Sequence, residues 1–100
     1  MRIEFDWDPT KAQSNRAKHG VGFEDAMSIF LDPLAMSRLD DDNEDREERW
    51  VTLGSQGDGR LLAVVHTHVE LDDDNVAVRI ISARRATRNE MRQYEEGLEA

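Results

Sequence analysis

The chain has 100 residues, 38% of them hydrophobic and 35% charged, and a formal net charge of −9 at pH 7. This length fits one domain over residues 1–100, and the lack of cysteine excludes a disulfide, a thiolate nucleophile and a cysteine-based zinc site. No apolar run is long enough to span a bilayer and no signal-peptide core is present, so we expect a cytoplasmic protein with no membrane partner.

The N-terminal part of the chain predicts one strand followed by two helices. Residues 2–7 alternate apolar and polar side chains, as a half-buried strand does. Asp8-Pro9 supplies an N-cap and a first-turn proline for a helix that runs to about His19, and Gly20 fits a left-handed stop. Residues 23–31 carry apolar side chains at helical spacing and predict the second helix.

The remainder of the chain predicts four strands and a final helix. The predicted strands are 34–39, 49–53, 60–69 and 75–83. The last two are apolar on both faces, so we expect them to be central in the sheet. Gly54-x-x-Gly57-x-Gly59 is read as a turn, and Thr87 and Glu90 fit the capping box of the last helix. The order β-α-α-β-β-β-β-α predicts an α+β domain with a small, mostly antiparallel sheet and helices packed on one face.

Two acidic segments account for much of the negative charge. Residues 40–48 carry a net charge of −6, and Asp72, Asp73 and Asp74 form a second acidic run. We expect both to be solvated loops. The alternative is a docking surface for a basic partner.

A cationic segment near the C-terminus contrasts with this background. Residues 79–94 contain five arginines and one acid. Arg84 and Arg85 fall at the predicted strand end, beside a helix N-terminus whose free N–H groups favour an anion. Arginine forks suit phosphate oxygens, so the segment predicts a phosphate site to which the last strand brings its arginines. For Arg79, inside the strand, a salt bridge to a carboxylate at the core edge is the alternative.

The histidines of the predicted strand 60–69 are the candidates for proton transfer. His66 and His68 lie two residues apart on one face of that strand. A zinc site lacks an evident third ligand, whereas histidine is the usual acid or base near neutral pH. The alternative is a half-buried histidine satisfied by a neighbour.

Two sequence blocks stand out in combination, Lys18-His19-Gly20-Val21 and Ile80-Ile81-Ser82-Ala83-Arg84-Arg85-Ala86. Together with Phe5-x-Trp7-Asp8-Pro9 and Phe30-x-Asp32-Pro33, they resemble the BrnT family of type II toxins over nearly the whole chain. The resemblance implies a RelE-like fold. It also implies a ribonuclease that cleaves RNA without the ribosome and stops translation.

The resemblance further implies a protein partner. Toxins of this family are neutralised by a BrnA-like antitoxin, which carries a ribbon-helix-helix DNA-binding domain. We therefore expect a heterotetramer with the antitoxin, which represses its own operon and contacts operator DNA only through the antitoxin.

RNA cleavage without a metal or other cofactor needs a base, an acid and cations that stabilise the phosphorane. Our hypothesis is that Arg79, Arg84 and Arg85 hold the scissile phosphate and that His66 is the acid or base, with Glu48 or Glu90 as alternatives. The candidates for flanking phosphates are Lys18, Arg49, Arg60 and Arg88. The alternative function is a catalytically inactive antitoxin-binding module that acts only in operon autoregulation.

Overall fold

The computed structural model describes residues 1–40 and 48–99, and its elements follow the predicted order with one additional short strand. They are β1 (Arg2–Asp6), α1 (Pro9–His19), α2 (Phe23–Ser28), a 3₁₀ turn (Ile29–Leu31), β2 (Met36–Leu39), β3 (Trp50–Ser55), β4 (Leu61–His66), β5 (Val69–Glu70), β6 (Asn75–Arg85) and α3 (Arg88–Glu99). Most of the predicted acidic loop 40–48 lies outside the described residues. No helix among the described residues is long and apolar enough to cross a membrane.

Both predicted ends of helix α1 are confirmed. Asp8 accepts a hydrogen bond from the backbone N–H of Thr10 at 2.9 Å, and Pro9 occupies the first turn. Gly20 ends the helix with φ of 72°, a conformation that costs glycine little because it has no Cβ. These local signals determine where α1 lies along the chain.

A buried asparagine attaches α1 to the last strand. The Asn15 amide group donates to the carbonyl oxygens of Val21 at 3.1 Å and Ala83 at 2.8 Å, and its oxygen accepts from the Ala83 N–H at 3.1 Å. Because these backbone groups are buried, leaving them unpaired costs about 1–3 kcal/mol each. Asn15 therefore fixes the helix relative to β6.

Within the described residues, six strands form one sheet in the order β1-β6-β4-β3-β2, with β5 pairing beside the first half of β6. Every pair is antiparallel except β1 with β6, which is parallel. The α+β class, the mostly antiparallel sheet and the central positions of β4 and β6 are confirmed. Gly54, assigned to a turn, instead lies in β3.

Strand β4 is shorter than predicted because its pairing with β6 is irregular. Val65 pairs with Ser82 but His66 pairs with Ile80, so β6 contains one extra residue at this point. The strand ends at His66, and pairing with β6 resumes at β5. This interruption places His66 at the end of a strand in the middle of the sheet.

The sheet carries apolar clusters on both faces. The larger cluster includes Phe23 and Ala26 of α2, with Ala12 of α1 packed against it. On the other face lie Val51, Leu53 and Ala63, a separation that follows from the alternation of side chains along a strand.

Helix α3 begins on the face opposite to α1 and α2. Arg84 is the register partner of Ala63, and directly paired residues of neighbouring strands point to the same face. Arg84 bonds Glu90 of α3, which places the start of this helix beside the smaller cluster. The prediction that all helices pack on one face was therefore wrong, because the capping box defines where α3 starts but not which face it covers.

Candidate functional site

His66 is a buried imidazole held by defined partners. It is 3% exposed, and its ring is nearly perpendicular to that of Phe30 at a centroid distance of 4.9 Å. Its Nδ1 lies 3.0 Å from the carbonyl oxygen of Thr67, and its Nε2 lies 2.6 Å from Oγ1 of Thr52. Since a carbonyl oxygen only accepts, we assign the ring proton to Nδ1. The unprotonated Nε2 then accepts from the Thr52 hydroxyl.

Burial lowers the pKa of His66 below its ordinary value of 6.5; the hydrogen bond to Thr67 opposes the shift and the charge of His68 adds to it. A charged imidazole is disfavoured in an apolar environment. At neutral pH His66 is therefore neutral, the form that accepts a proton.

A cavity of about 210 Å³ lies beside His66 and is lined by Ser37, Trp50, His66 and His68. The cavity brings the two histidines together as predicted, although His68 is exposed and follows β4 rather than belonging to it. Trp50 provides an aromatic ring of the kind on which nucleic-acid bases stack. The cavity thus combines a neutral base with a surface suited to a nucleotide.

A larger cavity of about 420 Å³ lies between β1 and α2, where its lining is mostly apolar. Among the described residues, the side chains around it include neither histidine nor arginine. We place the candidate active site at the smaller cavity because only that one holds a group suited to proton transfer near neutral pH.

Arg79 pairs with Asp6, its register partner on β1. The pair is exposed, with 48% of the arginine side chain accessible. The alternative considered for Arg79, a salt bridge to a carboxylate at the core edge, is therefore realised. Exposed pairs contribute only about 0–1 kcal/mol, so this guanidinium can exchange its carboxylate for a phosphate at little cost.

Arg84 has a stronger and less exposed partner. Its Nη1 and Nη2 donate to the two carboxylate oxygens of Glu90 at 2.6 and 3.0 Å. This pairing lowers the pKa of Glu90 to about 2. Burial opposes the shift, and the hydrogen bonds from Thr87 add to it. The predicted capping box is confirmed, because Glu90 accepts from the Thr87 N–H at 2.8 Å and its own N–H donates to Thr87 Oγ1 at 3.2 Å.

The four predicted catalytic residues do not meet at one point. His66 pairs with Ile80, next to Arg79, whereas Arg84 and Arg85 pair with the opposite end of β4. Arg84 lies five positions after Arg79 along β6, a distance of roughly 16 Å at about 3.3 Å per residue. The expectation that the last strand brings its arginines to one place was therefore wrong. Alternation also places Arg79 and Arg84 on the face opposite to His66.

The candidates for flanking phosphates are dispersed over the surface. Lys18 on α1, Arg88 on α3 and Arg60 are exposed, and Arg60 bonds Asp58 at 3.3 Å. Arg49 is partly buried and immediately precedes Trp50. Among these residues, Arg49 is therefore the one adjacent in sequence to a residue lining the cavity.

Comparison with known proteins identifies the family. A family model described as "Ribonuclease toxin, BrnT, of type II toxin-antitoxin system" matches residues 7–90. This chain belongs to the BrnT family. It is also similar to a solved crystal structure, the Brucella abortus ribonuclease toxin BrnT, with 27% sequence identity, a TM-score of 0.61, and coverage of 87% of this chain and 100% of that one. A search of curated proteins found no match.

Membership of the BrnT family confirms the resemblance and the expected fold class. A type II toxin family also implies an antitoxin partner. In the described ranges, no group of three or more His, Asp or Glu side chains is arranged to hold a metal ion.

Sequence reasoning missed two residues of the candidate site, Ser37 and Thr52. Their hydroxyl oxygens lie 2.7 Å apart, and Thr52 in turn contacts His66. A polar residue at 52 among apolar neighbours was the available signal, since a buried hydroxyl needs a partner. The identity of that partner depends on the pairing of three strands, which no local pattern specifies.

Proposed function

We propose that this chain is an endoribonuclease that cleaves RNA without a metal ion or a ribosome and thereby inhibits translation. The observation that carries the proposal is His66, a neutral imidazole beside the cavity in a chain of a ribonuclease toxin family. Cleavage of RNA next to a 2′-hydroxyl needs a base of this kind.

In the proposed reaction, His66 takes the proton of a ribose 2′-hydroxyl. The 2′-oxygen then bonds to the adjacent phosphorus and the bond to the 5′-oxygen breaks. The leaving 5′-oxygen takes a proton from water, so that a 2′,3′-cyclic phosphate and a 5′-hydroxyl end form. General base catalysis typically contributes about 10²–10⁴-fold in rate. The proposed reaction uses a histidine base and arginine cations that bind phosphates, and it includes no metal ion.

Arginines supply the positive charge. Arg79 is exposed and only weakly paired, and Arg85 is exposed at the end of β6, so we assign both to phosphates of the bound strand. Arg84 contributes through the position of α3, because Glu90 occupies both of its terminal nitrogens. Lys18, Arg49, Arg60 and Arg88 contact phosphates further along the RNA.

The protein partner proposed is a BrnA-like antitoxin with a ribbon-helix-helix domain. It neutralises the toxin in a heterotetramer and carries the contact with operator DNA.

RNA cleavage by the purified chain tests the proposal. In excess EDTA, the chain is expected to cut single-stranded RNA and leave cyclic phosphate ends. Because Arg79 lies on the face opposite to His66 and is assigned to a phosphate of the bound strand, Arg79→Ala should raise KM with little change in kcat. Arg92→Ala, the same change on the exposed surface of α3, should change neither. Absence of cleavage by the parental chain in EDTA contradicts metal-independent activity.

A second candidate function is a catalytically inactive module that binds the antitoxin and acts only in autoregulation. The observation that favours it is that Arg79 and Arg84 already have carboxylate partners within the chain. A chain that binds antitoxin tightly but never cleaves RNA, with or without divalent cations, has this function.

A further inference from the structure

We propose that Ser37 is the group that contacts the ribose 2′-hydroxyl, and that Thr52 relays the proton from Ser37 to His66. This inference rests on the proposed ribonuclease function and names two residues that neither the family description nor the sequence assigns to the reaction. It explains how a histidine covered by another side chain can act on a substrate.

Three neighbouring strands supply the chain of hydrogen bonds. Ser37 of β2 pairs with Thr52 of β3, and their hydroxyl oxygens are 2.7 Å apart. Thr52 Oγ1 lies 2.6 Å from Nε2 of His66, which ends β4. Because strand pairing fixes these side chains on one face, the three groups are positioned before any substrate binds.

The direction of these hydrogen bonds follows from the protonation of His66, the buried member of the series. His66 Nδ1 faces a carbonyl oxygen, so Nε2 has no proton and accepts the proton of Thr52. The Thr52 hydroxyl has only one proton, which means that its contact with Ser37 is donated by Ser37. The lone pairs of Ser37 Oγ remain available to accept a further hydrogen bond.

Solvent access differs between the two ends of this series of hydrogen bonds. His66 is 3% exposed and Thr52 is 2% exposed, whereas Ser37 is exposed and lines the cavity. A substrate hydroxyl can therefore reach Ser37, while Thr52 already occupies Nε2. Burial also lowers the pKa of His66, which keeps the imidazole in its proton-accepting form at neutral pH.

Each proton in the relay is accounted for. The 2′-hydroxyl gives its proton to Ser37, Ser37 gives its own to Thr52, and Thr52 gives its own to Nε2 of His66. Both hydroxyls end with one proton, the imidazole becomes an imidazolium, and the 2′-oxygen bonds to phosphorus as the bond to the 5′-oxygen breaks. The leaving oxygen takes a proton from water, and His66 returns its proton to the resulting hydroxide by the same route.

The test is the cleavage rate of hydroxyl variants in EDTA. We expect Ser37→Ala and Thr52→Val each to lower kcat by about 10²–10⁴-fold, the usual contribution of a general base, with little change in KM. Thr52→Ser should restore most of kcat because it restores the hydroxyl. Ser14→Ala removes an exposed hydroxyl from α1 and should cleave like the parental chain.

Combined variants separate a relay from a structural role. If the three residues act as one unit, Thr52→Val should add almost nothing to the loss already caused by His66→Gln. Nitrogen chemical shifts of the His66 ring give a readout independent of activity and should show the proton on Nδ1. Circular dichroism identifies any variant that fails to fold. If Thr52→Val does not fold, the kcat of Ser37→Ala tests the relay, because Ser37 is exposed at the edge of the sheet.

The possible outcomes distinguish the relay from the proposed function. Parental kcat in Ser37→Ala and Thr52→Val together with an inactive His66→Gln overturns the relay and leaves His66 as the base. Parental kcat in His66→Gln overturns both the relay and the assignment of the base. A proton on Nε2 in the free protein overturns the direction of transfer.

Discussion

The guanidinium group of Arg84 and the carboxylate of Glu90 form a two-pronged pair that joins the end of β6 to the start of α3. Its two contacts are 2.6 and 3.0 Å long, and the same carboxylate caps the helix at the Thr87 N–H. One acidic side chain therefore connects the arginine-rich strand end to the C-terminal helix.

Replacing Glu90 with glutamine should destabilise the fold. Glutamine can still cap the helix, so the change isolates the loss of charge in the pair with Arg84. We expect the free energy of unfolding to fall by about 1.5–3 kcal/mol, the usual contribution of a hydrogen bond to a charged group. Urea denaturation measures this change. Glu95→Gln, an exposed change on the same helix, is the control, and an equal loss in both variants contradicts the role of the pair.

The same pair should make stability depend on pH in the acidic range. The folded-state pKa of Glu90, about 2, is below its ordinary value of 4.5. The unfolded state therefore binds the proton first, and the stabilisation present above pH 4.5 is lost as pH falls toward about 2. The difference in unfolding free energy between the parental chain and Glu90→Gln should shrink through this window. A difference that stays constant as pH falls contradicts the assignment.

The hydroxyl group of Tyr94 should have a pKa well above that of a free phenol. It donates a hydrogen bond to Asp32 Oδ2 at 2.6 Å. This bond raises the pKa of Tyr94 from 10.0 to about 12, and burial and the charge of Asp32 add to the shift. The chain has only one tyrosine, so ultraviolet absorbance follows its ionisation directly, with urea-unfolded chain as the control. Ionisation of the folded protein near 10.0 means that the bond is absent in solution.

Gly54→Ala should destabilise the packing of the 3₁₀ turn against β3. An added Cβ would lie 2.9 Å from the Cβ of Ile29 and 3.0 Å from its carbonyl oxygen, and Ile29 is fully buried. Overpacking of this kind typically costs about 1–3 kcal/mol. Thermal unfolding measures the loss of stability. The control is Gly97→Ala, whose added Cβ would meet only the flexible side chain of Met36. A melting temperature equal to that of the parental chain shows that the site has room for the methyl group.

Local signals in the sequence predicted both ends of α1 and the start of α3 correctly because the groups that make them are neighbours in the chain. The second helix, predicted over residues 23–31, instead ends at Ser28 and continues as the 3₁₀ turn. The cap of α1 joins Asp8 to Thr10, and the capping box of α3 joins Thr87 to Glu90. Apolar residues on both faces likewise identified the central strands. These interactions need no knowledge of the tertiary structure.

The arrangement of the site could not be predicted in this way because it depends on pairing between distant residues. Thr52 meets His66 only through the register of β3 with β4, and the irregular pairing at Val65 decides where β4 ends. Arg84 was assigned to a phosphate because nothing local indicated that Glu90, already explained as a cap, would also reach its guanidinium group. The charge pattern indicated a cationic segment but not how its members are paired.

The rate of RNA cleavage by His66→Gln, relative to the parental chain and to Arg92→Ala, most directly tests whether His66 is the base. All three proteins are purified, shown to be folded, and incubated with the same single-stranded RNA in excess EDTA. The parental chain and Arg92→Ala should cleave at similar rates, and His66→Gln should be slower by about 10²–10⁴-fold. Cleavage by His66→Gln at the parental rate contradicts the account.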